Sequence, residues 1–302
     1  MTHIWAAGAP IAALLDRVAT SRTSALLVDF DGTLAPFRED PSSVRPWTGV
    51  RELLERIRDT GRTTITVVTG RPARETVPLL GMDPPPAVWG LHGAERLDAA
   101  GRLERQTLDF EDGMVLAATQ NLLQFANLAR GIRIERKWNA IAVHWRGIPA
   151  RRVEQTRVRV TELFRHTARI AGMHVSPFDG GVELRAGRNK GDAVRLILQS
   201  TAADAPVAYL GDDETDEDAF QALEGRGLGI LVRSQLRRSA ARVWLRPPGE
   251  LRRFLAAWLR ALVHGAWWPA GAAFSGPWTS ENFSGPLASE SIDRRTVGSA
   301  PG

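Results

Sequence analysis

Residues 26–36 read LLVDFDGTLAP, a stretch in which an apolar run ends in two aspartates one residue apart. Apolar residues typical of a buried strand run directly into Asp29 and Asp31, which are followed by Gly32. With the two-residue period of a strand, both aspartates point to the same side, beyond its carboxyl end. Two such carboxylates repel one another unless a positive charge lies close to both. Either the strand exits into water here, or the pair holds a cation and takes part in chemistry.

The overall composition is typical of a globular protein and excludes several classes of chemistry. The chain has 302 residues with 43% hydrophobic and 24% charged side chains, enough for two domains and a sizeable core. It contains no cysteine, which excludes disulfides, thiolate zinc sites and cysteine nucleophiles. No apolar run approaches the ~20 residues of a membrane span, and residues 1–17 lack the basic start of a signal peptide. We therefore expect a cytoplasmic protein with no membrane partner.

The net charge of +5 raises the question of an anionic partner. The basic residues are scattered, with no run of five or more and no nucleic-acid-binding motif. We therefore attribute the charge to an arginine-rich composition and expect no nucleic-acid partner. Lys137 and Lys190 are the chain's two lysines. Either these positions need a compact ammonium, or the two lysines have been kept by chance.

Alternating strand and helix patterns predict the core. From residue 24 to about 95, short apolar runs alternate with segments of helical periodicity, and the alternation resumes after residue 187. This order implies a parallel sheet with right-handed crossovers. The predicted fold class is α/β, with a Rossmann-like parallel sheet in a discontinuous core made of residues 1–106 and 187–264.

The middle and the end of the chain have different patterns. Residues 107–186 read as helix, hairpin, helix and hairpin, which predicts an inserted α+β domain. Residues 265–302 are rich in Gly, Ala, Ser and Pro and lack periodicity. Because such a segment buries little apolar surface, we expect a disordered tail.

Four short motifs stand at predicted strand ends or helix starts, where open α/β sheets bind ligands. The first is the aspartate pair described above. The second is Thr69-Gly70-Arg71, which forms either a simple turn or a binding loop for a phosphate oxygen. The third is Lys190 at a helix start, either a surface lysine or a partner for an anion. The fourth, GDDETDEDAF (211–220), has six acids within seven residues. That density exceeds what a helix start needs and suits a hard divalent cation.

In this order, the four motifs resemble those of the haloacid dehalogenase superfamily of phosphotransferases. That superfamily has a DxDGT motif, a strand-terminal Ser or Thr, a lysine and a GDD-type acidic loop. GLHGAE (90–95), IERKWNAIAVHWR (134–146) and VELRAGRNKG (182–191) further resemble the trehalose-6-phosphate phosphatase family. One departure is Ala186, where that family usually has proline. We expect this change to loosen the hinge without removing a functional group.

The resemblance implies roles for individual residues. Asp29 would be the nucleophile and Asp31 the general acid and base, with Thr69 and Lys190 holding phosphate oxygens. His144 is interpreted as structural. The implied Mg²⁺ site consists of Asp29, Asp31, Asp212, Asp213 and Asp216, with the last two left unranked. The implied substrate contacts are Gly70, Arg71, His92, Glu135, Lys137, Arg146, Glu183, Arg185 and Asn189.

The resulting prediction is Mg²⁺-dependent hydrolysis of trehalose 6-phosphate through an aspartyl-phosphate, by a monomer whose inserted domain acts as a cap. One alternative is a phosphatase of another sugar phosphate, such as sucrose phosphate or mannosylglycerate phosphate. Another is a non-catalytic regulator that binds a sugar phosphate. In all three cases the expected partner is a small-molecule sugar phosphate.

Overall fold

The computed structural model describes residues 8–38, 40–178 and 180–265. Residues 1–7 and the predicted disordered tail from 266 onward lie outside the described residues. The helices are α1 (Gly8–Thr20), α2 (Val50–Asp59), α3 (Ala73–Leu80), α4 (Phe110–Gln124), α5 (Ala150–Ala171), α6 (Lys190–Gln199), α7 (Glu217–Ala222) and α8 (Gly249–His264). The strands are β1 (Ser24–Val28), β2 (Thr63–Val68), β3 (Ala87–Gly90), β4 (Glu95–Leu97), β5 (Leu103–Arg105), β6 (Arg133–Lys137), β7 (Ala140–His144), β8 (His174–Phe178), β9 (Gly181–Arg185), β10 (Val207–Gly211), β11 (Leu228–Val232) and β12 (Val243–Leu245).

Eight strands form the central sheet, in the order β12-β11-β10-β1-β2-β3-β4-β5. Every pair from β12 to β3 is parallel, whereas β4 and β5 add an antiparallel edge. The chain builds outward from β1 through β2 and β3, then returns to β10 on the opposite side of β1. Ligands of open α/β sheets bind at such a switch point, outside the carboxyl ends of the strands. The predicted parallel α/β core is confirmed.

The central strands have helices on both faces, and their side chains alternate between two buried layers. On β1, Leu26 and Val28 belong to the layer that includes α1, α2 and α8. Ala25 and Leu27 belong to the opposite layer, with α6 and α7. A parallel sheet covered on both faces explains why this strand reads as a continuous apolar run rather than as an alternating one.

A second sheet is antiparallel, in the order β6-β7-β9-β8, and follows the predicted order of helix and hairpin. We refer to residues 110–185, from α4 to β9, as the inserted unit. On one face of its sheet, Ile141 and Leu184 pack in a buried cluster with residues of α4 and α5. On the other face, Ala142 and Glu183 line a cavity shared with the core. One face of this sheet therefore stabilises the unit, and the other faces the predicted site.

The two linkers that join the inserted unit to the core are tied to one another. Gln106 Oε1 accepts the Arg188 backbone N–H at 3.0 Å. Gly187 has a φ of +82°, and a Cβ built there would lie 2.7 Å from Gln106 Oε1. Nearby, the Ala186 N–H donates to the Asn139 carbonyl at 2.9 Å. A proline at position 186 would not make this bond, because it has no N–H.

Three short strands, β4, β5 and β12, are absent from the sequence prediction. Each has three residues, which is too short for a recognisable period. β4 and β5 are joined by a turn in which Asp98 accepts the N–H groups of Ala100 and Arg102. Within residues 8–265, as far as they are described, no helix is both long and apolar enough to cross a bilayer.

Candidate active site

The ends of three neighbouring strands bring the first predicted residues together. Asp29 follows β1, Thr69 follows β2 and Asp212 follows β10. The strands are hydrogen-bonded neighbours, with β1 between the other two. All three side chains line one cavity of about 780 Å³ between the core and the inserted unit. The parallel register of the sheet therefore places residues from distant motifs at a single edge.

Gly32 allows the loop after β1 to approach the loop after β10. It has a φ of +83°, and an ideal Cβ at this position would lie 2.1 Å from Asp212 Oδ2. Any larger residue would be strained and would displace the Asp212 carboxylate. The glycine of the DxDG sequence is thus required by close packing of the two acidic loops.

Lys190 is the cation at this edge. It is the first residue of α6, whose start is fixed by a capping box between Asn189 and Asp192. Its Nζ donates to Asp29 Oδ1 at 2.9 Å and to Asp216 Oδ1 at 2.7 Å. The lysine is buried, so these contacts are little screened by water. We refer to Asp29, Lys190, Asp212 and Asp216 as the core-edge cluster.

Asp216 is fully buried, and both of its carboxylate oxygens accept two hydrogen bonds. Oδ1 accepts from Lys190 Nζ and from the Tyr209 hydroxyl, the latter at 2.6 Å. Oδ2 accepts the backbone N–H groups of Asp212 and Asp213, each at 3.0 Å. These four bonds use the lone pairs that a carboxylate normally offers. Asp213, in contrast, lines the cavity.

Burial and mutual repulsion perturb the ionisation of this cluster. Burial raises the pKa of Asp29 to about 7, and the Asp216 charge adds to this effect while Lys190 opposes it. Burial also raises the pKa of Asp212 well above its ordinary value, with further contributions from Asp29 and Asp216. Burial lowers the pKa of Lys190, but the charges of Asp216 and Asp29 outweigh it and raise the pKa overall. The lysine is therefore charged, and the carboxylates outnumber it.

The donor set of this cluster fits a divalent cation. Oxygens of Asp29, Asp212 and Asp216 lie within 4.8 Å of one another. Carboxylate oxygens are the ligands that hard cations such as Mg²⁺ use, and a second positive charge would relieve the repulsion that raises these pKa values. Because the Asp216 oxygens already accept four bonds, Asp29 and Asp212 are the members best placed to bind a metal.

Asp31 lies beside the core-edge cluster and is held by a two-pronged ion pair. Arg71 Nε and Nη2 donate to its two carboxylate oxygens, each at 2.6 Å. Arg71 Nη1 also donates to the Pro41 carbonyl at 2.8 Å. This third contact links the same guanidinium to the segment that follows the DxDGT loop. The Arg71 N–H bonds the hydroxyl of Thr69. Arg71 thus fixes the second aspartate relative to the loop after β2.

A group of charged side chains of the inserted unit faces the core across the cavity. Lys137 Nζ donates to Glu183 Oε2 at 2.7 Å and to the Gly70 carbonyl at 3.1 Å. His92, on the core, lies 3.2 Å from the other oxygen of Glu183. The bond to Gly70 joins the inserted unit directly to the loop that contains Thr69. We refer to Glu135, Lys137, His144 and Glu183 as the charged face.

His92 is a neutral side chain in a strained backbone conformation. Its φ of +57° and ψ of +27° are in the left-handed region, which few non-glycine residues occupy. Burial lowers its pKa to about 4 despite the nearby Glu183. At neutral pH it can therefore offer Glu183 a hydrogen bond but no charge. Although burial opposes ionisation of Glu183, the Lys137 ammonium holds the pKa of that carboxyl well below its usual range.

Glu135 is fixed from two sides. His144 Nε2 lies 2.8 Å from its Oε2, and Arg133 Nη1 donates to the same oxygen at 3.0 Å. The hydrogen bond from His144 lowers the pKa of Glu135 to about 2, although burial opposes the shift; the Lys137 charge contributes as well. Glu135 is therefore a carboxylate at any ordinary pH. Arg146 also lines the cavity.

Two predicted substrate residues do not line the cavity. Arg185 is buried, and its Nη1 donates to Glu183 at 3.3 Å from behind the lining. The Asn189 side chain accepts the Asp192 N–H and so serves the start of α6. The predicted residues that do line it are Asp29, Asp31, Thr69, Gly70, Arg71, His92, Glu135, Lys137, Arg146, Glu183, Lys190, Asp212 and Asp213.

Comparison with known proteins identifies the family. Residues 27–244 match the sequence profile described as trehalose-phosphatase. The chain belongs to the trehalose-phosphatase family. It is 33% identical over 226 residues to a trehalose-phosphate phosphatase of Mycobacterium avium, an alignment that covers 70% of this chain and 55% of that protein. The chain thus spans about half the length of this curated relative.

Solved structures share the fold of this chain. The C-terminal domain of the Candida albicans trehalose-6-phosphate phosphatase matches with a TM-score of 0.71 and 20% identity, over 85% of this chain and 99% of that domain. A haloacid dehalogenase-like hydrolase from B. subtilis matches with a TM-score of 0.55 and 15% identity, over 78% of this chain and 99% of that one. The predicted haloacid dehalogenase-type core with an inserted α+β unit is confirmed.

Sequence reasoning missed three residues that this family member places at the site, and named a fourth, His144, only as structural without its partner. Tyr209 bonds Asp216, His144 bonds Glu135, and Phe37 and Phe178 line the cavity. Tyr209 is the chain's single tyrosine and lies two residues before Gly211 of the GDD motif, so its rarity is a usable signal. His144 shares a strand face with Ala142 and lies opposite Arg133, which only the strand register reveals. No sequence pattern marks Phe37.

Proposed function

We propose that this protein hydrolyses trehalose 6-phosphate to trehalose and phosphate, with Mg²⁺ as cofactor. The observation that carries the proposal is the position of the core-edge cluster. Asp29, paired with a buried lysine, opens into the same cavity as the charged face of the inserted unit. Phosphate chemistry and recognition of sugar hydroxyls are thereby supported within a single cavity. A volume of about 780 Å³ lies within the usual range for small-ligand sites.

In the first step, an Asp29 oxygen forms a bond to phosphorus and the bond from phosphorus to the sugar oxygen breaks. Lys190 and the Thr69 hydroxyl hold phosphate oxygens, and Asp31 delivers a proton to the departing sugar oxygen. Both Asp31 oxygens accept from Arg71 in this structure. The proton transfer therefore requires that this fork open on the side of the substrate.

In the second step, water attacks the phosphorus of the aspartyl-phosphate. Asp31 accepts a proton from this water, and the bond between Asp29 and phosphorus breaks to release phosphate. Asp29, Asp212 and the Asp31 backbone carbonyl would hold Mg²⁺, which would supply positive charge next to the phosphate. We propose that Asp213 lies close to the bound metal. Asp216 positions Lys190 and the loop instead, because its oxygens are engaged.

The charged face would bind the sugar. Glu135 and Glu183 are carboxylates that accept hydrogen bonds from sugar hydroxyls, whereas Lys137 and, outside the charged face, Arg146 donate hydrogen bonds. Lys137 also donates to the carbonyl of Gly70, in the loop that contains Thr69. Closure of the inserted unit over the substrate would therefore be coupled to the position of this phosphate-binding loop. We propose that residues 107–186 form this cap, with residues 1–106 and 187–264 as the core. We further propose that the protein is monomeric and cytoplasmic.

The test is a phosphate-release assay on trehalose 6-phosphate, sucrose phosphate, mannosylglycerate phosphate and glucose 6-phosphate, with and without Mg²⁺. We expect trehalose 6-phosphate to have the highest kcat/KM, EDTA to abolish turnover and added Mg²⁺ to restore it. Preference for another sugar phosphate would replace the substrate assignment. Binding of trehalose 6-phosphate without phosphate release would indicate a regulator, and turnover that resists EDTA would contradict the metal assignment.

A further inference from the structure

Phe37 is an aromatic residue at the cavity to which the chemistry above gives no role. It follows the DxDGT loop on the core and lines the cavity. It is also one of the large apolar side chains that remain exposed, at 38%. Most residues around it in the cavity are charged or polar. An apolar ring kept accessible in such a polar site calls for an explanation.

A side chain of the inserted unit packs against one face of the Phe37 ring. The Arg146 guanidinium carbon lies 4.5 Å from the ring centroid, well within the range of a cation–π interaction. On its other side, Arg146 packs against Gly180, where an ideal Cβ would lie 2.8 Å from Arg146 Cβ. The pair therefore joins the core to the inserted unit at the cavity lining.

The segment that contains Phe37 is fixed at both ends. Before it, the Gly32 N–H donates to the Ala35 carbonyl at 2.7 Å, and the buried Ala35 donates back to Phe30. After it, the Pro41 carbonyl accepts from Arg71, the residue that clamps Asp31. These backbone bonds flank Phe37 on both sides, and the contact with Arg146 orients its ring at the cavity.

The cavity divides its lining between two kinds of contact. Lys137 and Glu183 lie beside the Gly70 loop, close to where the phosphate and the sugar ring that carries it would bind. Phe37 and Arg146 line the same cavity, where the core contacts the segment after β7. Sugar rings present apolar C–H faces as well as hydroxyls, and ligand sites commonly place aromatic side chains against such faces.

We propose that Phe37 is a specificity-determining residue, whose ring, held beneath Arg146, packs against the second sugar ring of a disaccharide phosphate. The inference rests on the proposed sugar-phosphate hydrolysis and adds how the site would distinguish a disaccharide phosphate from a monosaccharide phosphate. A monosaccharide phosphate has no second ring and gains nothing from this contact. A disaccharide phosphate gains both the aromatic surface and an Arg146 guanidinium that Phe37 keeps in place.

The experiment compares kcat/KM for trehalose 6-phosphate with kcat/KM for glucose 6-phosphate in the wild type and in Phe37→Ala. We expect the ratio of the two values to fall about tenfold, or ~1.4 kcal/mol, mostly through KM for the disaccharide. Phe37→Tyr keeps the ring and should restore the ratio. Phe125→Ala removes an exposed phenylalanine just after α4, outside the cavity lining, and serves as the matched control.

A double-mutant cycle with Arg146→Met tests the pairing. The double variant should lose less selectivity than the two single variants added together, because each change removes the same contact. Strict additivity would contradict the pairing of the two side chains. An equal loss on both substrates, or no change in the ratio, would overturn the proposal. Thermal melts check that Phe37→Ala is folded, which we expect because Phe37 is partly exposed.

Calorimetric binding of trehalose separates this inference from the proposed function. If the wild type binds trehalose but hydrolyses no sugar phosphate, the proposed function fails. A weaker Kd for trehalose in Phe37→Ala, with the affinity recovered in Phe37→Tyr, would then still support the role of the ring. If Phe37→Ala binds trehalose as tightly as the wild type, the ring has no part in recognition and the inference fails on its own.

Discussion

The core-edge cluster and the charged face are both made of acids paired with bases, yet they differ in how firmly those groups are held. In the core-edge cluster, Lys190 is 3% exposed and Asp216 is 0% exposed. On the charged face, Glu183 is also buried, at 3%, and Lys137 is 13% exposed, but Glu135 is 33% exposed and its partner His144 23%. Burial makes each charge costly to leave unpaired, so the core-edge cluster tolerates little rearrangement. Partly exposed charges can exchange protein partners for sugar hydroxyls.

This contrast assigns different kinetic consequences to the two regions. Groups that act on phosphorus must be preorganised, so changes at the core-edge cluster should reduce kcat. Groups that bind the sugar before reaction should affect KM more strongly. A change on the charged face that abolished kcat, or a change in the core-edge cluster that affected only KM, would break the comparison.

The largest expected effect is that of Asp29→Asn. The amide is a poor nucleophile, so we expect kcat to fall by at least ~10³-fold while the fold persists. Steady-state phosphate release and a circular dichroism melt measure the two properties. Asp59→Asn, at a 63% exposed position on α2, is the control and should retain wild-type turnover. Near-normal hydrolysis by the Asp29 variant would refute its role as nucleophile.

Asp216→Asn should reduce both stability and turnover. An amide cannot accept all four of the hydrogen bonds that Asp216 receives, and it leaves Lys190 with one buried anion instead of two. We expect unfolding to become easier by about 3 kcal/mol in urea titrations. Asp213→Asn is the matched variant, and it should lower activity with a much smaller change in stability. Equal destabilisation by the two would contradict the separate roles proposed for them.

His92 predicts a pH dependence of stability. Its pKa is about 4 when folded and 6.5 in the reference state, so the unfolded chain binds more protons between these values. Stability should therefore rise with pH from about 4 to 6.5, by up to ~3 kcal/mol from this group. Asparagine tolerates the left-handed backbone, so His92→Asn should remove this part of the slope in urea unfolding across pH. His166→Asn, at an exposed site on α5, is the control and should keep the wild-type slope.

Glu135→Ala tests the charged face. Loss of a carboxylate that accepts a sugar hydroxyl should raise KM for trehalose 6-phosphate about tenfold, consistent with the net value of a charged hydrogen bond. KM for p-nitrophenyl phosphate, which has no sugar, should change far less. Glu154→Ala removes an exposed acid on α5 and should alter neither constant. An equal rise in both KM values would remove Glu135 from sugar recognition.

The smallest expected effect concerns the linker. Ala186→Pro removes the N–H that donates to Asn139, so we expect a loss of about 1 kcal/mol of stability. Ala186→Gly keeps the N–H and separates this loss from the loss of the methyl group. A proline variant at least as stable as the wild type would mean that the hydrogen bond is replaced elsewhere.

Much of the core was predictable because its signals are local. Three of the four predicted motifs follow a short apolar run, and the carboxyl ends of parallel strands share an edge, so the sequence alone places Asp29, Thr69 and Asp212 together. The three-residue strands were not predictable, since they carry no period. Nor were the supporting residues, because Tyr209 and His144 acquire their partners through packing.

The sequence by itself determined the parallel α/β core, the inserted unit and the motifs that line the proposed phosphate site, because motif and periodicity are properties of neighbouring residues. Only the tertiary structure decided that Asp216 is occupied by four hydrogen bonds whereas Asp213 lines the cavity. The same holds for the ion pair of Arg71 with Asp31 and for the contact of Arg146 with Phe37. The partners in these contacts are up to about a hundred residues apart in the chain. Their distances depend on how the sheet and the inserted unit pack, and no local pattern encodes that packing.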